Sequence, residues 1–336
     1  MRSGFVSIIG RPNAGKSTLI NALVGEKVAI VTAKPQTTRN RIHGILEVPA
    51  VKGKHPAAQI VFVDTPGVHK PGTSLDKRMM QEVHDALETR DAVLLIVDAT
   101  RRLDLPEYNE PAAPAESRSK HRDSEDAFVF ELLRKLDCPV FLLINKIDLI
   151  ERSKLLPLIQ KLSSLYNFAE VIPISARKRD GLEILLQKLI DVLPTGQRYF
   201  PKDQFTDQPE RFLVAELIRE RILVETGEEV PYASAVVVEQ FEEPEPDSKK
   251  PIAHISAVIY CERSGQKAIL IGKGGSKLKA IGTSARKEIE SLLGSKVFLE
   301  LHVIVKENWR ESRGFVESLD WRRQLEDMSA RQKQEE

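Results

Sequence analysis

Short apolar runs, each ending in a polar turn, punctuate the first part of the chain: Phe5–Ile9, Ile42–Leu46, Gln59–Asp64, Ala92–Asp98, Pro139–Ile144 and Val171–Ile174. Their length and β-branched content predict strands. Between them, Thr18–Leu23 has Leu19 and Leu23 at helical spacing and Gly25 placed to end the helix. Helices are likewise predicted over Leu75–Thr89 and Val129–Leu136. Lys34–Arg41 reads as a polar loop and Val48–Ala58 as a hairpin tip. The pattern lapses at Arg101–Asp126, where prolines, serines and mixed charges carry no apolar period, so a mobile surface loop is expected. It lapses again at Pro194–Pro209, which reads as an interdomain linker.

Periodicity resumes with a helix over Glu210–Glu225, carrying Val214, Leu217, Ile218 and Ile222 on one face. Strands are predicted over Ala233–Glu239 and Ile252–Cys261, about an acidic hairpin tip at Glu242–Lys250. A basic helix follows Gly275, an alternating strand covers Val297–Val305, and a solvated helical tail is expected beyond. The expected organisation is a first domain over 1–196, a linker over 197–209 and a second domain with its tail over 210–336.

Composition narrows the class. The hydrophobic share of 41% and charged share of 29% are those of an ordinary globular protein, and the net charge of +1 hides any local basic patch. No apolar run approaches the roughly 18 residues a membrane span needs. Cys138 and Cys261 lie too far apart in sequence to suggest a metal-ligand pair, so a cytosolic, reducing setting is expected.

Four turns at strand ends carry chemistry. Gly10–Ser17, GRPNAGKS, matches the phosphate-binding loop between a strand and a helix. Gly10 and Gly15 let backbone wrap a phosphate, and the amides around Asn13, Ala14, Gly15 and Thr18 face it at a helix N-terminus. Lys16 would reach the β- and γ-phosphates and Ser17 would ligate Mg²⁺. The competing reading is a glycine-containing turn with an incidental lysine. Asp64-Thr65-Pro66-Gly67 places a carboxylate where α/β sheets hold ligands; Asp64 would hold Mg²⁺ through water and the Gly67 amide would touch the γ-phosphate. In Asn145-Lys146-Ile147-Asp148, the Asp148 carboxylate can accept from guanine N1–H and N2–H₂ together, a match adenine lacks. Asn145 would brace neighbouring loops and the Lys146 stem would cover the base. The amides of Ser175, Ala176 and Arg177 could reach guanine O6. Each of these turns alone can be an ordinary polar loop, but their order cannot be chance. Among the clear strands, only Ala92–Asp98 ends without such a motif.

Over Met1–Gly196 this set resembles the translation-factor-like class of small GTPases. The resemblance implies an α/β fold with a six-stranded, mostly parallel sheet and helices on both faces. It also implies that Thr38, with Thr37 the weaker candidate, closes on Mg²⁺ and the γ-phosphate, so that Lys16, Thr38 and Gly67 serve catalysis. Val68 stands where Ras-like members have a water-orienting glutamine, and a valine cannot do this. Asn13 resembles an asparagine that binds K⁺ in related enzymes; the alternative is a loop-stabilising side chain. His69 is a candidate base or an uninvolved loop residue.

In the second half, Ile271-Gly272-Lys273-Gly274-Gly275 opens a helix bearing Lys277, Lys279, Arg286 and Lys287, with no acid between Lys273 and Lys287. This resembles the GxxG loop of KH domains, which clamps a nucleic-acid backbone, and the order α-β-β-α-β is that of the type II KH fold. A plain tight turn is the alternative. Together, GRPNAGKST, KPQTTRNRI, VDTPGVHKP, NKID, SAR, YFPKDQFTDQPERF and IGKGG resemble the Era family of bacterial ribosome-assembly GTPases. The likeness covers nearly the whole chain except the 101–126 insert and the tail after Trp309. It implies GTP and GDP as ligands with Mg²⁺, binding to the 3′ end of small-subunit rRNA, assistance to 30S assembly, a monomer in the cytoplasm, and loose inner-membrane association. Two further classes stay open at this point: an RNA-binding scaffold with structural GTP and negligible turnover, and a small-molecule kinase, which the guanine-reading loop disfavours.

Overall fold

The computed structural model describes residues 1–68, 72–103, 124–227, 229–244 and 251–325. Contacts divide the chain into two units, one of Met1–Pro71 with Met79–Asp207, the other of Gly72–Arg78 with Gln208–Glu336.

In the first unit the strands are β1 (Arg2–Ile9), β2 (Ile42–Val48), β3 (Ala58–Asp64), β4 (Ala92–Asp98), β5 (Val140–Asn145) and β6 (Glu170–Pro173). They form one sheet in the order β2-β3-β1-β4-β5-β6, antiparallel at the β2/β3 hairpin and parallel elsewhere. The central strands are apolar on both faces because both faces are covered. Leu94 and Ile96 of β4 pack into one core with Leu19, Ile20 and Leu185, while Val93, Leu95 and Val97 pack into the other with Val83, Phe130 and Leu133. The first core takes helices α1 (Lys16–Val24) and α5 (Leu182–Val192); the second takes α2 (Ser74–Glu88), α3 (Glu125–Leu133) and α4 (Arg152–Ser163). The doubly wound sheet places the C-terminal ends of β1, β3, β4, β5 and β6 along one edge, where such folds bind ligands.

Two expectations change here. Helix α3 starts at Glu125, inside the segment expected as a loop, because Ser124 caps it by accepting from the Ala127 amide at 3.1 Å. The remainder of that insert, 104–123, lies outside the described residues. The segment expected as a linker is bound to the first unit as far as Asp207. Phe205 O accepts from Ile45 N at 2.9 Å, Thr206 Oγ1 donates to His43 O at 2.8 Å, and Gln59 Oε1 accepts from Tyr199 N at 2.8 Å. The open edge of β2 offers unpaired backbone groups, and this segment satisfies some of them.

The second unit contains α6 (Glu210–Glu225), β7 (Ala235–Glu242), β8 (Ile252–Cys261), α7 (Ser264–Ile271), α8 (Ser276–Leu293), β9 (Lys296–Val305) and α9 (Arg313–Ser318). Its sheet runs β7-β8-β9, with β7/β8 antiparallel and β8/β9 parallel. Val214, Ile218 and Ile222 of α6 and Ile281, Ala285 and Ile289 of α8 recur four apart and are all fully buried against the sheet. Helix α7 was not anticipated. It forms because the buried Gln266 accepts from the Glu262 and Arg263 amides (2.9 and 3.1 Å), satisfying donors at its start, while Leu270 is sealed in the core. The described part of the tail, as far as residue 325, is not a solvated helix either, and 326–336 lie outside the described residues. Trp309 is fully buried, donates Nε1–H to Ala233 O at 2.8 Å, and meets Phe315, which itself packs on Tyr260.

Candidate functional site: a phosphate-loop pocket and a glycine-loop groove

The turn after β1 enters α1 through Gly15, whose left-handed φ of 103° a side chain disfavours. A Cβ there would stand 2.3 Å from Asn145 Nδ2. Asn145 Nδ2 donates to Ala14 O at 2.8 Å, and its Oδ1 accepts from Ala176 N at 3.0 Å. One carboxamide thus ties the phosphate loop, the end of β5 and the turn after β6 together. The pocket above the loop has a volume of about 450 Å³, and its walls include Asn13, Lys16, Thr18, Thr38, Gly67 and Lys146.

At the floor of this pocket three oxygens converge. Ser17 Oγ donates to Asp64 Oδ2 at 2.8 Å, Thr38 Oγ1 donates to the same oxygen at 3.2 Å, and the two hydroxyls are 2.9 Å apart. Asp64 is fully buried, and among the described residues its Oδ1 has no hydrogen-bond partner. A buried carboxylate with one oxygen unsatisfied beside two hydroxyls suits a small hard cation. Thr37 also borders the pocket but donates its hydroxyl to Lys34 O at 2.7 Å, so Thr38 is the threonine brought to Ser17 and Asp64. Lys16 Nζ donates to the Gly10 and Arg11 carbonyls at 3.1 Å each. Burial lowers its pKa to about 8 against the opposing pull of Asp64, and burial raises that of Asp64.

Other motif residues do different work. The Thr65 hydroxyl donates to Ile8 O at 2.7 Å, fixing the turn to β1, and Pro66 is buried with it. The Val68 side chain is fully buried in the core with Ile9, Met80 and Val83, so it meets neither nucleotide nor water. His69 lies outside the described residues. Asn13 Nδ2 donates to Ala33 O at 2.7 Å. Ser175 Oγ donates to Asp148 Oδ1 at 2.7 Å, which orients that carboxylate. The Ser175 and Ala176 amides are engaged by Asp180 O and Asn145 Oδ1. Arg177 is thereby the remaining residue of that turn expected to present an amide. Asp98, which carries no motif, accepts from Lys146 Nζ at 2.6 Å. A lone aspartate at a strand end gives no signal by type; its position on the ligand edge was the available one.

In the second unit the glycine loop joins α7 to α8. Gly272 has φ 72°, and a Cβ there would press on Lys277 Cβ at 2.7 Å. Lys273 is exposed and Ile271 half-buried. Lys277 Nζ donates to Glu225 O at 2.8 Å, at the C-terminal end of α6, so its charge supports a helix end rather than standing free over the loop. A groove of about 370 Å³ runs from Gly275 along α8, between Lys279, Thr283 and Arg286 on one side and Leu299 and Leu301 of β9 on the other. The leucines were not among the predicted site residues, since a strand's solvent side is invisible until its sheet is known, and Thr283 on α8 carries no charge to mark it.

Residues 5–146 match the family described as 50S ribosome-binding GTPase, and residues 229–310 match the KH domain. GTPase Era of Ruminiclostridium cellulolyticum is 41% identical over 321 residues, covering 96% of this chain and 98% of that protein. GTPase Era of Lacticaseibacillus paracasei is 46% identical, with coverage of 95% and 96%. The chain belongs to the Era GTPase family. Solved structures agree. A variant of Aquifex aeolicus Era bound to GDP and AlF₄⁻ superposes with a TM-score of 0.83 at 36% identity, covering 96% of this chain and 99% of that one. Era in complex with MgGDPNP and nucleotides 1506–1542 of 16S ribosomal RNA gives 0.84, with the same identity and coverage. The fold is thus a phosphate-loop GTPase domain followed by a KH domain, and the chain is a GTPase.

Proposed function

We propose that this GTPase is a switch that grips the 3′ end of small-subunit rRNA and assists assembly of the 30S subunit, with the RNA grip set by the bound nucleotide. The observation that carries the switch is the convergence of Ser17, Thr38 and Asp64, because it brings the loop between α1 and β2 onto the phosphate loop and the end of β3 at one point, where a triphosphate and its cation would engage all three. A relative holds MgGDPNP together with 16S rRNA nucleotides, which supports the same pairing here.

Ser17, Thr38 and Asp64 would hold Mg²⁺, Asp64 through a water and its unsatisfied Oδ1. When bound, Mg²⁺ supplies positive charge at the β- and γ-phosphate oxygens. The Lys16 ammonium, now between two carbonyls, neutralises those oxygens as the bond to the γ-phosphate stretches. The Gly67 amide donates to the γ-phosphate, and the helix α1 N-terminus faces the β-phosphate. Asp148, oriented by Ser175, selects guanine; Lys146 covers the base. With its nitrogen held by Ala33 O, the Asn13 carboxamide has its oxygen left for K⁺. In the second unit, backbone phosphates run past Lys273 and the glycine loop while bases enter the groove beside Lys279. An rRNA partner supports a cytoplasmic location, with peripheral inner-membrane contact as the family resemblance implies.

Competition of GTP against ATP for the pocket tests the base assignment. Asp148→Asn should lower GTP affinity by about 1.5–3 kcal/mol, since a charged hydrogen bond is lost; unchanged affinity removes Asp148 from the base. Phosphate release should be faster in K⁺ than in Na⁺, and Asn13→Ala should erase the difference; equal wild-type rates dismiss the K⁺ assignment.

A further inference from the structure

Strand β4 ends in the first unit's ligand edge without a nucleotide signature, yet its last residue is more tightly held than a solvated aspartate. The Asp98 carboxylate is 7% exposed. One oxygen accepts from the Thr100 amide at 2.9 Å and the Thr100 hydroxyl at 2.7 Å, so the group cannot swing. Its other oxygen meets Lys146 Nζ at 2.6 Å, with Arg101 Nε at 3.8 Å. The same Lys146 ammonium donates to Asn13 O in the phosphate loop at 2.8 Å. The Ala99 amide also donates to Asn145 O at 2.8 Å, so the ends of β4 and β5 are joined through backbone as well.

We propose that Asp98 is a positioning residue for nucleotide retention: it pins the Lys146 ammonium against the phosphate loop and so fixes the wall on which the guanine nucleotide rests. The proposal rests on the pocket being the guanine-nucleotide site. Three arguments support it. Lys146 has φ 65°, a conformation that long side chains avoid and that surroundings must over-determine. Fastening its far end on two segments does this. A flexible lysine stem covers a base well only when its head is held, because an unheld stem loses rotamer freedom on ligand binding. Finally, Lys146 and Arg101 both border the pocket, and the Asp98 carboxylate between them offsets two cations that would otherwise repel across the nucleotide's edge.

The reacting phosphate sits at the Ser17–Thr38–Asp64 end, so the effect falls on release rather than on chemistry. The test is stopped-flow dissociation of a fluorescent GDP from the full chain. Asp98→Asn keeps shape and the Thr100 contacts but turns an amide towards the ammonium, and release should accelerate about tenfold, as when one partner of a desolvated charge pair is lost. Single-turnover GTP hydrolysis should stay within about twofold, and Asp98→Glu should recover most of the wild-type release rate. In a Lys146→Met background, Asp98→Asn should add little, because the partner through which it acts is gone. Wild-type release from Asp98→Asn, or an equal acceleration in both backgrounds, overturns the positioning role. A lowered melting temperature with unchanged release does so too. Failure of the wild-type chain to retain GDP at all would instead overturn the assignment of the pocket.

Discussion

The chain contains two glycine loops that open a helix towards an anion, and they are built on opposite plans. Gly10–Ser17 is enclosed: Lys16 is 6% exposed, Ala14 2%, and a Cβ on Gly15 would collide with Asn145. Gly272–Gly275 is open: Lys273 is exposed, and no atom of the described residues lies within 4 Å of where a Cβ on Gly274 or Gly275 would stand. An enclosed loop suits a ligand with two ends, because walls can read the base and the phosphates at once. An open loop suits a polymer whose backbone must pass through. The helix N-terminus supplies the same amides in both; the surroundings decide what can use them.

The largest effect that would separate the two plans is expected from Lys16→Ala. It should lower turnover by about 10²–10³-fold, the usual loss when one preorganised charge donor is removed, while RNA binding by the second unit survives. Phosphate release with a parallel RNA titration checks both halves, and wild-type turnover would break the contrast. The converse is Lys273→Asp with Gly274→Asp, which places two negative charges in the path of a phosphate backbone. RNA affinity should fall on the order of 100-fold, with the salt slope flattened by about 0.7 for the lost lysine contact. GTP affinity should be unchanged. Anisotropy titrations of a small-subunit rRNA 3′-end oligonucleotide over several salt concentrations would show it.

The enclosed loop also has its floor in the hydrophobic core. Val68 follows Gly67 directly, donates its amide to Gly10 O at 3.1 Å and buries its side chain fully. Val68→Ala removes two buried methyl groups and should cost about 2 kcal/mol of stability. Turnover per folded molecule should change little, because the side chain reaches neither phosphate nor water. A urea titration of the first unit's transition, paired with turnover below it, distinguishes this from a catalytic loss.

What could be read from the sequence follows the same division. Motif spacing assembles Lys16, Ser17 and Asp64 because short polar turns at strand ends must share the sheet's ligand edge. Lys146 and Asp148 follow for the same reason. Asp98 escaped because its partner is set by tertiary pairing of β4 with β5, and a lone aspartate has no spacing to betray it. Helix α7 escaped because Ala268-Ile269-Leu270-Ile271 is a short apolar run, and only the Gln266 cap marks the start of a helix. The tail was misread because its charged residues dominate the pattern, whereas Trp309, Val316 and Trp321, spaced irregularly, do the packing. Lys277 is expected at the open loop because it lies on the basic helix behind the GxxG turn, whereas its hydrogen bond to Glu225 O at the end of α6 is set by tertiary packing that the sequence does not show.

The smallest expected effect isolates openness itself. Gly15 and Gly274 both have left-handed φ, 103° and 59°, so an alanine at either incurs a backbone cost of about 1–2 kcal/mol. They differ in what the added methyl meets. At Gly15 it stands 2.3 Å from Asn145 Nδ2, and Asn145 can yield only by releasing Ala14 O and Ala176 N. Nucleotide binding should therefore fail in Gly15→Ala. At Gly274 the methyl meets nothing in the described residues, so only the backbone term remains. Gly274→Ala should lower RNA affinity by about fivefold, roughly 1 kcal/mol, with the salt slope intact because no charge is altered. A Gly274→Ala loss approaching that of the double aspartate variant would mean that the loop is enclosed when RNA is bound, and that the two plans differ less than the free chain suggests.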